Sequence, residues 1–477
     1  MQHRSNNILL GLIAVPVLYW LYLACVTQPV VVYDAQSYVD LAVMINQKGW
    51  QEYFISGPNR EPIYPFLVAL SMRLAGIGSY VDVLKCFQFV LLLASVSLFV
   101  TLLMRSAISR TLAVAALLYF GFSPAITNSA FSLFSEGATY SFILGMILMA
   151  AAGWKSLHQG PVIKTLVLGL AFGAFFVGTT MIKGIYEMIF PLILIPFIIF
   201  AVKAWQLKKK QALKNTMVFL LATLMIFVSC VYGYKALNKK YNGLFVLTDR
   251  AGWVFYGAAA RREMPLNVQS FGAAVAYDLF EEDGCKVVFP APECEAWHVR
   301  VSEALGAQKN YEVIANFSPR EQNAQLFKGA IEKILENPFQ YVLLTALEWT
   351  HMFFWETTQI GFVVYPDWLD AVFGCVPFAR VLRFIVGALS LAATLLAVVF
   401  LWRNRKDLWF NQNQEKNFMP LLFFSVYVVL CHMTLYSLFA IVPRHAVPAG
   451  PVLILIIVFV VQIIFTKNTS RFEKGER

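Results

Sequence analysis

The chain has 477 residues, of which 59% are hydrophobic, 15% aromatic and only 14% charged. This composition argues against a soluble globular domain and predicts an all-α polytopic membrane protein. The formal net charge of +10 does not indicate a nucleic-acid partner, because most of the excess Lys and Arg residues lie between apolar segments, where they set membrane topology.

Ten apolar segments predict membrane spans. The first, residues 8–26, contains no charged residue and is long enough to cross a hydrocarbon core of about 30 Å. Lys and Arg residues gather at alternate ends of the spans, which predicts that both termini are cytoplasmic. The predicted spans are residues 8–26, 86–104, 111–127, 137–154, 165–182, 188–202, 216–234, 384–402, 418–442 and 446–466.

Two regions between spans are predicted to face outward, residues 27–85 and residues 235–383. Within the second, residues 339–355 are apolar but carry Glu348 near the middle and number only about 17, which favours an interfacial or re-entrant helix over a span. We therefore divide the chain into three parts. They are an N-terminal transmembrane catalytic module (1–234), an extracytoplasmic loop domain of mixed structure (235–383) and a C-terminal transmembrane module (384–477).

Two of the seven cysteines suggest a covalent link in the second outer region. Cys285 and Cys294 flank a turn-rich stretch on the oxidising side of the membrane, which predicts a disulfide between them. The chain has no Cys-x-x-Cys or His-x-x-x-His pair, so the sequence proposes no zinc site.

Asp34 is the leading candidate for a functional carboxylate. It lies shortly after the first span and before the segment Arg60-Glu61-Pro62-Ile63-Tyr64-Pro65. A carboxylate close to the hydrocarbon boundary is commonly explained by binding or activating a polar substrate. The alternative is that Asp34 caps a helix starting at Ala35, a position that suits its residue type.

Several short motifs resemble the GT-C superfamily of membrane glycosyltransferases, in the branch of protein O-mannosyltransferases and aminoarabinose transferases. Asp34 with Tyr38 four residues on resembles the start of the first outer loop in that branch, and the segment 60–65 resembles its basic, proline-containing motif. Later points of similarity are Phe134-Ser135-Glu136, Lys183, Asn337-Pro338 and Pro443-Arg444-His445-Ala446-Val447-Pro448. The resemblance implies a GT-C-like bundle of about ten transmembrane helices with interfacial helices.

The resemblance also implies a reaction, in which a sugar on a polyprenyl phosphate is transferred to an acceptor at the outer face. Asp34 would act as the base, with inversion at the sugar. The phosphate would be held by Arg444, Lys183 and Arg60. The acceptor or sugar would be bound by Glu136, Tyr38 and Glu61. No metal ligand is assigned, and a divalent metal stays an open question.

Simpler explanations exist for two of these residues. Glu136 begins a predicted span, where a carboxylate interacts favourably with the helix dipole. Arg444 could mark the membrane interface with its long side chain. Its position on the outer face, against the usual bias of basic residues, favours the phosphate role.

The acceptor could be a lipid, a glycan or a protein, and a bacterial inner membrane is the expected location. Two other functions stay open: a lipid or solute transporter or flippase, and a polymerase or ligase of glycans. Transporters typically carry internal repeats and charged or broken helices near the bilayer midplane. The sequence shows no convincing repeat, and its candidate charges lie at the outer ends of spans, which favours catalysis at the interface.

Overall fold

The computed structural model describes residues 11–106, 108–263, 266–295, 319–356, 362–410, 418–439 and 443–473. These residues are predominantly helical. The helices are α1 (Ala14–Val26), α2 (Asp34–Lys48), α3 (Trp50–Ile55), α4 (Ile63–Ala75), α5 (Tyr80–Met104), α6 (Arg110–Phe122), α7 (Pro124–Phe131), α8 (Glu136–Gln159), α9 (Val162–Ile182), α10 (Tyr186–Gln206), α11 (Lys210–Phe227), α12 (Gly233–Asn242), α13 (Ala251–Arg261), α14 (Val268–Val288), α15 (Pro319–Glu336), α16 (Pro338–His351), α17 (Asp367–Phe373), α18 (Val376–Arg403), α19 (Arg405–Phe410), α20 (Met419–Phe439) and α21 (Gly450–Glu473).

Eight helices in the described ranges are long and apolar enough to cross a membrane, and α6 with α7 can form a ninth span with a 44° bend. This confirms the prediction of an all-α polytopic membrane protein. The first predicted span, residues 8–26, is the one that remains, and it corresponds to the shorter apolar helix α1 and begins in residues that the structure does not describe. The spans include Lys210–Asn242, in which a π-helical stretch, Val228–Tyr232, joins α11 to α12.

Close approach of α9 to α11 holds the middle of the bundle together. Gly169 and Gly173 on α9 face α11, and a Cβ atom at Gly169 would lie 2.7 Å from the carbonyl oxygen of Phe219. Small residues let the backbones of membrane helices pack closely, which replaces the hydrophobic driving force that lipid cannot supply.

The bend between α6 and α7 is fixed by a buried carboxylate. Glu356 accepts hydrogen bonds from Tyr119 Oη (2.6 Å), Ser123 Oγ (2.9 Å) and the backbone N–H of Ala125 (2.8 Å). The Ala125 N–H lies in the first turn of α7, where backbone donors lack partners within the helix. Glu356 thereby connects the segment after α16 to the break in the bent pair.

The two regions predicted to face outward, residues 27–85 and 235–383, contact one another through a short antiparallel ladder. β1 (Gln28–Pro29) pairs with β2 (Val363–Val364), with Gln28 opposite Val364 and Pro29 opposite Val363. Apart from β2, the regular structure described within residues 235–383 is helical. The ladder fixes the chain just before Asp34.

Helix α16 corresponds to the segment predicted not to span. It has 14 residues and is not among the candidate spans of the described chain. Its buried Glu348 accepts a hydrogen bond from Arg262 Nε at 3.0 Å, and Arg261 Nε lies 3.4 Å from the other carboxylate oxygen. These arginines satisfy the charge that the sequence places in an apolar helix. The interfacial location of α16 stays a prediction.

Candidate active site

Asp34 begins α2 and lies between two arginines. Its Oδ1 accepts a hydrogen bond from Arg60 Nη2 at 2.7 Å, and its Oδ2 accepts one from Arg444 Nη2. The chain reaches this position through Tyr33, whose φ of 50° is unfavourable for a residue with a side chain. The helix starts at Asp34 rather than at Ala35, and both carboxylate oxygens bond guanidinium groups, so the capping alternative does not describe this carboxylate.

Glu136 and Lys183 form a buried ion pair beside Arg444. Lys183 Nζ donates to Glu136 Oε1 at 2.8 Å, and Arg444 Nε lies 4.0 Å from the same oxygen. Glu136 opens α8 and Lys183 follows the last residue of α9. The helix-dipole explanation fits the position of Glu136, but the two cations account for its burial.

Glu61 connects the Glu136–Lys183 pair to the region of residues 235–383. Its Oε1 accepts from the backbone N–H of Gly184 at 2.9 Å, and Arg250 Nη2 donates to its two oxygens at 3.0 and 3.1 Å. Gly184 is the residue after Lys183, so Glu61 fixes the turn that presents that lysine. Sequence reasoning missed Arg250, because a single arginine in a long polar loop carries no signal of which carboxylate it meets.

The structure thus brings seven charged residues into one continuous cluster. Four are cations and three are carboxylates, which leaves one net positive charge. The members are, in order, Arg60, Asp34, Arg444, Glu136, Lys183, Glu61 and Arg250, with Glu61 joined to Lys183 through the backbone N–H of the next residue, Gly184. They come from residues 27–85, from residues 235–383 and from the ends of three predicted spans, so only the tertiary fold assembles them.

The cations keep the carboxylates ionised. Burial alone would raise the pKa of Asp34, but the charges of Arg444 and Arg60 outweigh it and hold the pKa below its ordinary value. Burial likewise opposes ionisation of Glu61, whereas Arg250 and the Gly184 N–H lower its pKa below the usual range. Both groups are therefore carboxylates at neutral pH.

Several buried polar atoms of the cluster have no hydrogen-bond partner within the described part of the chain. They are Glu136 Oε2, Arg444 Nε and Arg60 Nε. Buried polar groups in folded proteins are nearly always paired, so unpaired ones call for a specific explanation. An acceptor oxygen and two N–H donors left unpaired in one cluster suit a polar ligand that carries both hydroxyl groups and negative charge.

Tyr38 forms a wall of the cluster. It is buried, its hydroxyl lies 3.1 Å from Ser135 Oγ, and its ring packs against Tyr64 at 4.8 Å. The guanidinium carbon of Arg60 lies 5.7 Å from the Tyr38 ring centroid, within cation–π range. Tyr38 thus supports Arg60 and links Asp34's helix to the residue before Glu136.

The structure pairs Cys285 with Cys294 as a disulfide, with their Cα atoms 5.9 Å apart. Cys285 lies within α14 rather than in a turn. The pair is not among the residues that contact the charged cluster. In the parts of the chain that the structure describes, no group of three or more His, Cys, Asp or Glu residues could hold a metal ion.

Comparisons with protein-family models and with curated proteins return no match. Among solved structures, the chain is similar to the crystal structure of ArnT from Cupriavidus metallidurans bound to undecaprenyl phosphate. The alignment covers 96% of this chain and 77% of that chain, with 14% sequence identity and a TM-score of 0.36. The resemblance of this chain to the GT-C superfamily rests on the motifs of its sequence, whose charged residues form a single site in the fold.

Proposed function

We propose that this integral membrane protein is a glycosyltransferase that moves a sugar from a polyprenyl-phosphate donor to a hydroxyl group of an acceptor. The observation that carries the proposal is the seven-residue charged cluster with one excess positive charge. It contains buried N–H donors without partners among the described residues. Such preorganised donors stabilise negative charge that develops during a reaction, and they do so more strongly in a site that excludes water.

The donor phosphate is assigned to Arg444, Lys183 and Arg60. Arg444 opens the last candidate span, Arg444–Thr466, a position from which a lipid in the bilayer can bring its phosphate to the guanidinium group. Its side chain is 14% exposed, so water screens it weakly and its bond to an anion is strong. Lys183 is held nearby by Glu136 and would share the charge of the leaving phosphate.

Asp34 is assigned as the base. The acceptor hydroxyl attacks the anomeric carbon while Asp34 takes its proton, a new C–O bond forms, and the bond from the anomeric carbon to the phosphate oxygen breaks. The bonding electrons leave on the polyprenyl phosphate, and attack opposite to that group inverts the anomeric centre. For this step the donor phosphate must take over hydrogen bonds that Arg60 and Arg444 give to Asp34 in the ligand-free site.

The roles of the remaining residues are assigned from the hydrogen bonds that their side chains already make. Glu136 Oε2 is buried and unpaired among the described residues, which suits a hydroxyl of the transferred sugar. Both oxygens of Glu61 are engaged by Arg250 and Gly184, so we assign Glu61 as a positioning residue for Lys183. Tyr38 is assigned as a positioning residue for Arg60.

The distribution of Lys and Arg residues supports a further proposal on location. The cluster lies at the span ends opposite to those that carry the basic loops, such as Lys208-Lys209-Lys210. By the positive-inside rule those loops are cytoplasmic. The site would therefore face the periplasm of a bacterial inner membrane, with both termini in the cytoplasm.

The test is the release of free polyprenyl phosphate by the purified protein in lipid nanodiscs. A panel of polyprenyl-phosphate sugars is offered with and without lipid, glycan and peptide acceptors. We expect one donor to be consumed by the wild type. The Arg444→Gln variant should be slower by about 100-fold or more, the usual loss on removing one electrostatic donor. Absence of release from every donor would contradict the proposal and favour a transporter.

A further inference from the structure

A cavity of about 610 Å³ opens beside the charged cluster. It lies between α2, the turn of residues 56–60 and the segment of residues 249–254. Its volume falls within the range of about 300–1,000 Å³ that is typical of small-molecule sites. The turn is shaped by Gly57, whose φ of 67° favours glycine.

The cavity borders a residue that bonds the proposed base. Leu41 and Met44 line it from α2, and they share a helix face with Asp34 because they follow it by seven and ten residues. Arg60 also lines the cavity, and the same guanidinium group donates to Asp34 at 2.7 Å. Lys183 and Arg444, the other residues assigned to the phosphate, do not line it. The cavity thus includes one of the three residues assigned to the phosphate and lies away from the other two, which favours the acceptor over the donor phosphate as its occupant.

The lining combines a flat aromatic wall with short polar groups. Trp253 contributes an indole, while Ser56, Asn59 and Asp249 contribute a hydroxyl, an amide and a carboxylate. Asp249 Oδ1 is oriented by a hydrogen bond of 2.8 Å from Asn323 Nδ2. Apolar walls with a few oriented polar groups are typical of sites for small polar molecules. The ring of a sugar presents C–H groups on its faces and hydroxyls at its edge, which matches this lining.

The charges disfavour an anionic occupant. Arg60 and Arg250 line the cavity, but they already pair with Asp34 and Glu61, and Asp249 adds a third carboxylate. Each of the two lining cations is thus already paired with a carboxylate. A phosphate or a carboxylate on the acceptor would have to break one of these ion pairs to be neutralised here, whereas a neutral ligand would not.

We infer that this cavity binds the acceptor as a saccharide without negative charge, with Trp253 against a sugar ring and one hydroxyl directed toward Asp34. The identification of the cavity as an acceptor site rests on the proposed glycosyl transfer. Binding itself needs no donor and is measured separately.

The experiment is saturation-transfer NMR on the full-length protein in nanodiscs. The probes are methyl glucoside, methyl mannoside and methyl N-acetylglucosaminide, with glucose 6-phosphate and a neutral serine-containing tripeptide as comparison ligands. We expect transfer to the ring protons of at least one methyl glycoside. Trp253→Ala should weaken that binding about tenfold through lost ring contact. Asn59→Trp, at an exposed position of the turn, should block the cavity without disturbing the core.

Trp50→Ala is the matched control, since Trp50 is 48% exposed and packs on Phe66 rather than on the cavity. The inference is overturned if the wild type binds none of the methyl glycosides or prefers the phosphate or the peptide. Unchanged binding in both cavity variants would overturn it as well. Loss of saccharide binding in the cavity variants, together with loss of acceptor-dependent release of polyprenyl phosphate, would affirm the cavity's role, whereas normal acceptor-dependent release in those variants would overturn it. Normal saccharide binding with no release from any donor would instead defeat the proposed reaction.

Discussion

The substitution Asp34→Asn is expected to tighten binding of the donor phosphate while it slows sugar transfer. In the ligand-free site Asp34 accepts hydrogen bonds from Arg60 and Arg444, which are also the groups assigned to the phosphate. The carboxylate therefore competes with the substrate for the same donors. An amide is a weaker competitor because it carries no charge.

The cluster gives the size of this effect. Four cations and three carboxylates leave a net charge of +1, and removal of the Asp34 charge raises it to +2. A hydrogen bond to a charged group contributes about 1.5–3 kcal/mol, so releasing one such competitor should tighten anion binding about tenfold or more. Loss of a general base costs about 10²–10⁴ in rate. The substitution should therefore raise the affinity for the donor phosphate and lower the rate of sugar transfer.

The assay follows both quantities in the same preparation. Binding of undecaprenyl phosphate, used as the probe, is titrated in nanodiscs, and transfer is followed in a single turnover with the donor found active. Asp40→Asn is the matched control, because Asp40 is an exposed carboxylate on the same helix that accepts a hydrogen bond from Gln36 at 2.8 Å. Weaker binding of the lipid phosphate by Asp34→Asn would show that Asp34 does not compete with the phosphate. An unchanged single-turnover rate would show that Asp34 is not the base.

Three further predictions concern pH, stability and backbone conformation. Because the pKa of Asp34 is lowered, its ionised form should persist below the usual carboxyl pKa of about 4. The value of kcat/KM should therefore not fall through protonation of Asp34 between about pH 5 and 7. A carboxyl titration in that range would contradict the assignment of Asp34 as the base. Glu356→Ala should destabilise the protein by about 3 kcal/mol or more, since it leaves the donors of Tyr119, Ser123 and Ala125 unpaired. Glu356→Gln keeps an acceptor oxygen and should lose much less stability. Equal melting temperatures of the two variants would contradict this role of Glu356. The Tyr33→Gly variant should have a higher melting temperature than Tyr33→Ala. Both variants lose the side chain, but only glycine relieves the positive φ of 50°, which is worth about 1 kcal/mol. The reverse order of melting temperatures would show that the backbone at residue 33 is not strained.

Much of the fold was predictable because membrane spans follow from local composition. Long apolar runs and alternating basic loops give the helices without knowledge of their contacts. The bend after α6 was not predicted, since it depends on Glu356 reaching Ser123 from a position 233 residues away in the chain. The helical structure in the described part of residues 235–383 was likewise less evident than the spans, because its polar sequence gives a weak periodic signal.

Six of the seven residues of the charged cluster were predicted from the sequence, but their pairing was not. Asp34, Glu136, Lys183 and Arg444 stand out because charged residues are rare and costly near apolar spans. Arg250 does not stand out in the same way, because charged residues are common in the polar loop that contains it. It nevertheless forms two hydrogen bonds with Glu61. The cavity beside Arg60 requires three chain segments to meet, which no local motif encodes.

The proposed glycosyl transfer requires that the protein split a polyprenyl-phosphate sugar and deliver its sugar to an acceptor. The most direct measurement uses vesicles that contain the purified protein and a donor labelled separately in its lipid and in its sugar. We expect equal amounts of free polyprenyl phosphate and of sugar-labelled acceptor, both lost in Asp34→Asn and retained in Asp40→Asn. Movement of the intact donor between leaflets, with neither product formed, would exclude glycosyl transfer and identify a flippase.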